Sequence, residues 1–126
     1  MLEEARSRID RANPQETSDA LERGAIVIDL RCESSRVAAG VIAGSIAIPR
    51  SVLEWRCDPT SEWSDARVAR PDERVILVCE QGYSSSLAAD NLRRLGFTRA
   101  GDIVGGIEAW EAEGLPLTGH EEQALG

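Results

Sequence analysis

Apolar residues along this chain fall into short runs of two kinds. Residues 25–30 (AIVIDL) and 74–79 (RVILVC) are almost continuously apolar. Their length suits strands covered on both faces. Residues 84–95 follow a different period: Ala88, Leu92 and Leu95 stand at i, i+4 and i+7, one face of a helix, and Gly96 stops it. Asn13-Pro14 opens an earlier helix over 17–23, since Asn caps and Pro suits the first helical position. Further helices are predicted over 34–39 and 107–113, and further strands over 45–48 and 99–103, with a short edge strand starting near Ile9. Residues 59–66 read as a surface turn with a little helix.

Strands alternate with helices throughout, and the two best strands are apolar on both sides. This predicts a mostly parallel sheet with helices on both faces. In such sheets ligands bind beyond the carboxyl ends of the strands. Asp29, Arg31 and Cys79 all stand at such ends. Residues 1–8 read as a lead-in, 9–118 as one domain and 119–126 as a flexible tail.

The length of 126 residues fits a single domain with its own core. Fourteen basic residues against 22 acidic ones leave a net charge of −8, which argues against nucleic acid or an anionic membrane as partner. The three cysteines, Cys32, Cys57 and Cys79, are far apart and His120 is the single histidine. No spacing for a metal site appears, so no metal is expected. Free thiols, a charged N-terminus and apolar stretches of about five residues lead to the expectation of a soluble, cytoplasmic protein.

The sharpest chemical feature is Cys79-Glu80-Gln81-Gly82-Tyr83-Ser84-Ser85-Ser86, which joins the best strand to the best helix. Gly82 permits a tight curl, and the first amides of the following helix have no internal partner. Amides gathered on the Cys79 sulfur would favour its thiolate, the nucleophilic form. Ser84 and Ser85 offer hydroxyls to sulfur or substrate, or simply cap the helix. A free cysteine at a strand end is also compatible with a small buried apolar residue.

These segments together resemble the rhodanese-like domain family of sulfurtransferases. The likeness covers about residues 9–117: VIDLR at 27–31, AGVIAGSIAIP at 39–49, CEQGYSS at 79–85, VGGIEAW at 104–110 and GLP at 114–116. The resemblance implies a three-layer α/β fold with a central, mostly parallel five-stranded sheet flanked by helices. It implies Cys79 as the nucleophile that carries sulfur as a persulfide. Glu80, Gln81, Gly82, Tyr83, Ser84 and Ser85 are then the loop around it. The chain departs from the family pattern at Val41, where a histidine is usual, and at Ala43, where a proline is. Many members carry Arg at the position of Ser84 and a cation at that of Glu80, whereas no Lys or Arg occurs from 80 to 86 here. An acid beside the nucleophile opposes thiolate formation and repels a dianionic donor. The related phosphatases use a longer loop ending in Arg, which this chain lacks.

Around this loop, Asp29 and Arg31 either brace the pocket rim, with Arg31 lending positive potential, or form a structural salt bridge or cap that holds neighbouring loops. Arg36 and Arg50 are candidates to replace the missing loop cation. Gly105 and Gly106 allow close backbone approach to the loop. Cys32 is a candidate resolving thiol or an incidental one, Cys57 has no assigned role, and His120 is poorly placed for catalysis. Trp110 reads as a core anchor, Trp55 as core or pocket wall, and Tyr83 as an exposed tip. The expected activity is transfer of a sulfane sulfur from a small donor such as thiosulfate to a thiol or cyanide, without a cofactor. The alternatives are a sulfur-carrying or redox-sensing module that docks on a protein partner and has little turnover of its own, and an inert scaffold that kept the fold.

Overall fold

A computed structural model describes residues 1–125 of the chain. Helix α1 (Leu2–Ser7) and strand β1 (Asp10–Ala12) precede helix α2 (Pro14–Glu22) and strand β2 (Ile26–Asp29). Helix α3 (Glu33–Ala39), strand β3 (Ile46–Ala47), a 3-10 turn at Arg50–Val52 and helix α4 (Leu53–Cys57) lead to strand β4 (Val75–Val78). Helix α5 (Ser84–Arg94), strand β5 (Ala100–Ile103), helix α6 (Gly106–Ala112), a 3-10 turn at His120–Glu122 and strand β6 (Ala124–Leu125) complete the order.

The six strands among the described residues are parallel, in the order β1-β5-β4-β2-β3-β6. The mostly parallel α/β sheet flanked by helices is the expected architecture, with six strands rather than five. The additional strand, β6, pairs Ala124 and Leu125 with Ile46 and Ala47 of β3. Two residues are too few to display a period of two in a sequence. Within the stretch expected as a tail, Gln123 is buried and bonds Asp29, Ser45 and Arg36. Gly126 lies outside the described residues.

Strand periodicity sorts the core into two halves. Val75 and Leu77 of β4 join Ile26 and Ile28 of β2 against Ala88, Ala89 and Leu92 of α5. Ile76 and Val78 face the other way, with Val27, toward Ala20 of α2 and Ile107 and Trp110 of α6. Burial of each such Val, Ile or Leu contributes about 1.5–3 kcal/mol. Asn13 closes a capping box with Glu16 and Pro14 is the first residue of α2, as its residue types require. No helix among the described residues is long and apolar enough to cross a membrane.

The stretch around 59–66 forms turns, and the helix nearby is α4 instead. Leu53 and Cys57, four residues apart, turn inward on α4. Trp55 therefore points to solvent and is exposed, neither core nor pocket wall. Trp110 is a core residue whose indole N–H donates to the Pro116 carbonyl at 3.0 Å.

Candidate active site

Strand β4 ends at Val78, and the chain then curls tightly before α5 begins at Ser84. Gly82 makes the curl at φ +84°, a left-handed conformation that side chains with a Cβ resist. A Cβ at Gly82 would also stand 3.0 Å from the Gly105 amide nitrogen and 3.1 Å from the Ile103 carbonyl oxygen. From the opposite side, the Ile107 N–H donates to the Cys79 carbonyl at 2.9 Å and the Glu108 N–H to the Glu80 carbonyl at 3.1 Å. Gly106 permits this approach: a Cβ there would collide with the Cys79 carbonyl oxygen and stand 2.7 Å from that of Glu80, whereas a Cβ at Gly105 would meet the Ala109 side chain instead.

The Cys79 sulfur sits at the bottom of this curl. The residue is 8% exposed and lines a cavity of about 360 Å³ with Arg31, Cys32, Glu80, Gln81 and Ser84, among others. The Gly82 N–H donates to Sγ at 3.2 Å, and the Ser85 hydroxyl lies 3.2 Å from the same sulfur. Burial alone pushes the thiol pKa up. Hydrogen bonds from the Ser85 and Ser84 hydroxyls and the Ser85 and Gly82 amides outweigh burial and leave it below the ordinary thiol value.

Behind Ser85 stands a group that sequence reasoning missed. Asp102, on β5, is fully buried. Its Oδ2 accepts from Ser85 Oγ at 2.8 Å and lies 2.7 Å from Ser86 Oγ. Its Oδ1 pairs with Arg11 Nε of β1 at 2.9 Å. Arg11 Nη2 also reaches the Gly82 carbonyl at 3.3 Å. Arg6, from α1, donates to the same carbonyl at 2.7 Å and to Ser86 Oγ at 3.1 Å. The Arg6 guanidinium also lies 5.6 Å from the centre of the exposed Tyr83 ring, within cation–π range. The loop without a cation of its own thus receives two from the N-terminal segment.

Arg36 and Arg50 do not take that part. Arg36 Nη1 donates to Gln123 Oε1 at 3.1 Å, and Arg50 pairs with Glu54 at 2.8 Å. Both line a neighbouring cavity. Asp29 holds Arg31 through Nε at 3.0 Å and Nη2 at 2.9 Å, and Arg31 Nη1 stands 3.8 Å from Glu80 Oε1. Cys32 shares the Cys79 cavity and is exposed. Its sulfur lies 3.2 Å from Ser34 Oγ and 3.3 Å from Ser35 Oγ. Those two hydroxyls bring its pKa down to about 7. Cys57 is buried, and desolvation drives its pKa up to about 12. His120 lies in the C-terminal 3-10 turn beside Glu121.

A family model for the rhodanese-like domain matches residues 13–113. The chain belongs to the rhodanese-like domain family. The thiosulfate sulfurtransferase GlpE of Pseudomonas fluorescens (strain SBW25) is 32% identical over 104 residues, covering 82% of this chain and 86% of that protein. The adenylyltransferase and sulfurtransferase MOCS3 of Oryza sativa subsp. japonica is 34% identical over 92 residues, 70% of this chain. The matched stretch is 20% of that relative's length, so the chain corresponds to a small part of it. A solved structure of a Rhodopseudomonas palustris CGA009 protein of unknown function, described as a possible tyrosine phosphatase, superposes with a TM-score of 0.85. It is 28% identical, over 92% of this chain and 89% of the other. Arg6 and Arg11 precede the stretch that matches the rhodanese-like model, and no motif of the chain advertises them.

Proposed function

We propose that the chain is a sulfurtransferase that carries a sulfane sulfur on Cys79. The observation that supports this most directly is a sulfur held at 3.2 Å by the Gly82 amide and at 3.2 Å from the Ser85 hydroxyl, facing an open cavity. Donors directed at a sulfur stabilise negative charge there. They favour the attacking thiolate and, after transfer, a terminal persulfide sulfur.

In the thiol form Cys79 donates to Ser85 Oγ, whose own hydrogen is held by Asp102. On ionisation the hydroxyl turns toward the thiolate, and Asp102 keeps Ser86 and Arg11 as partners. The thiolate attacks the outer sulfur of the donor. The donor's sulfur–sulfur bond breaks, and the leaving group departs with the electron pair as sulfite when the donor is thiosulfate. A thiol or cyanide then takes the outer sulfur and regenerates the thiolate, which is covalent nucleophilic catalysis. None of Glu80, Gln81, Gly82, Tyr83, Ser84, Ser85 or Ser86 is a guanidinium residue, so the bidentate phosphate grip that Arg gives a phosphatase loop is missing.

Intact-mass measurement after exposure to thiosulfate or polysulfide tests the reading. An added mass of about 32 Da that disappears in Cys79→Ser is the expected result of a covalent sulfur intermediate. Failure of every sulfane donor to modify Cys79 refutes it. A second reading, a sulfur-carrying module that serves a protein partner, is favoured by Glu80, whose carboxylate lines the cavity and opposes a dianionic donor. An adduct that forms without steady turnover toward small acceptors supports that second reading.

A further inference from the structure

Arg31 holds an unspent donor. Its side chain is 1% exposed. Nε and Nη2 are committed to Asp29, and Nη2 also meets the Gly40 carbonyl at 2.8 Å. Among the described residues, the buried Nη1 has no hydrogen-bond partner. A guanidinium N–H withdrawn from water without an acceptor is costly. Glu80 Oε1 stands 3.8 Å from it, beyond hydrogen-bond length. The Glu80 side chain is 47% exposed and follows Cys79 directly in the loop. Arg31, Glu80 and Cys79 all line the same cavity. A rigidly braced cation, a loosely seated acid and the nucleophilic sulfur therefore share one small space.

We propose that Arg31 Nη1 is an oxyanion subsite of the Cys79 cavity, with Glu80 as its displaceable occupant, so that Glu80 selects against sulfonate-ended donors. The inference rests on the sulfurtransferase reading of Cys79 and names the donor class that the site disfavours. With thiosulfate, the Cys79 thiolate forms a bond to the outer sulfur as the donor's sulfur–sulfur bond breaks. Sulfite leaves with the electron pair, and three negative charges stand on each side of the step. The three oxygens of that leaving group are the acceptors Nη1 lacks, and an ionised Glu80 must vacate before they reach it. Inorganic polysulfide transfers its terminal sulfur and leaves as a chain one sulfur shorter. It bears no oxygen, so it makes no claim on Nη1 and need not compete with Glu80.

Glu80→Gln keeps the shape of the side chain and removes its charge. Persulfide formation on the full chain is followed by intact mass with thiosulfate and, separately, with inorganic polysulfide. The expected result is a shift of about tenfold in the ratio of kcat/KM values toward thiosulfate, expressed mainly in its KM, the effect of losing one competing charge interaction. An unchanged ratio overturns the inference; so does an equal gain for both donors, which would mean that Glu80 acts on the thiolate or on every dianion alike. If neither donor loads Cys79, the sulfurtransferase reading fails, and the subsite is judged by calorimetric titration with sulfite. Sulfite binding about tenfold tighter to Glu80→Gln than to the unaltered chain supports the subsite. Equal affinity overturns it.

Discussion

Replacing Ser85 with alanine isolates the hydroxyl that links Cys79 to Asp102. Ser85 is fully buried, with its oxygen 3.2 Å from the Cys79 sulfur and 2.8 Å from Asp102 Oδ2. A hydrogen bond to a charged group contributes about 1.5–3 kcal/mol. The thiol form also loses a bond in the variant, which offsets part of this. A net loss of about 1.4 kcal/mol corresponds to about tenfold less thiolate at neutral pH. Asp102 retains Ser86 and Arg11, so the variant should fold, at a stability cost of about 1–2 kcal/mol. The assay is the rate of iodoacetamide labelling of Cys79 as a function of pH, in a Cys32→Ser background that removes the other reactive thiol. Ser85→Ala should label about tenfold more slowly at neutral pH, with a profile displaced to higher pH and the alkaline plateau retained. A profile that overlies that of the parent would show that Ser85 does not hold the thiolate.

The three thiols should label in an order set by their surroundings. Cys32, exposed and with a pKa of about 7, should react readily at neutral pH, whereas Cys57, buried and raised to about 12, should stay silent until the chain unfolds; peptide mapping after brief alkylation checks this, and early labelling of Cys57 would contradict it. Gly106→Ala should lower the melting temperature far more than Gly96→Ala. Both residues have positive φ, but a Cβ at Gly96 meets nothing within 4 Å while one at Gly106 collides with the carbonyls of Cys79 and Glu80. Equal losses would place the cost in backbone conformation alone. Asp65 should contribute to acid sensitivity. Its hydrogen bonds to Arg67 hold its pKa down to about 2, from an ordinary 3.8, with Arg56 adding attraction. A carboxylate depressed in the folded state stabilises above its unfolded pKa and loses that contribution as pH falls through the folded value. Melting temperature should therefore decline between about pH 4 and 2, and Asp65→Asn should flatten part of that decline; an unaltered slope would show that Asp65 is not responsible.

The electrostatics of the site gather two layers around one sulfur. The inner layer is local in sequence: the Gly82 amide and the Ser84 and Ser85 groups lie within six residues of Cys79. The outer layer is remote. Arg6 reaches the Gly82 carbonyl across 76 residues and Arg11 reaches Asp102 across 91. The loop itself carries Glu80 and no cation, so the positive charge packed behind it comes from α1 and β1.

Residue order alone was enough for the parallel α/β architecture and for the strand, curl and helix at Cys79. These features have signals confined to short windows: an apolar run in β4, a glycine where φ is positive, a helical stripe in α5. The close approach of Gly106 to the loop also has such a signal, because a residue without a Cβ lets two backbones come together. Asp102 carried no comparable mark. It sits among the short residues of β5 as one polar position in a strand, and its role follows from β5 lying beside β4 with its side chain under Ser85. Arg11 likewise acquires its role from the pairing of β1 with β5, and Arg6 from the packing of α1 against α5. Strand order, β6 at the far edge and the unspent Nη1 of Arg31 were settled only by the tertiary structure. Local periodicity says which face of an element is apolar, but which element lies across from it depends on packing between distant segments.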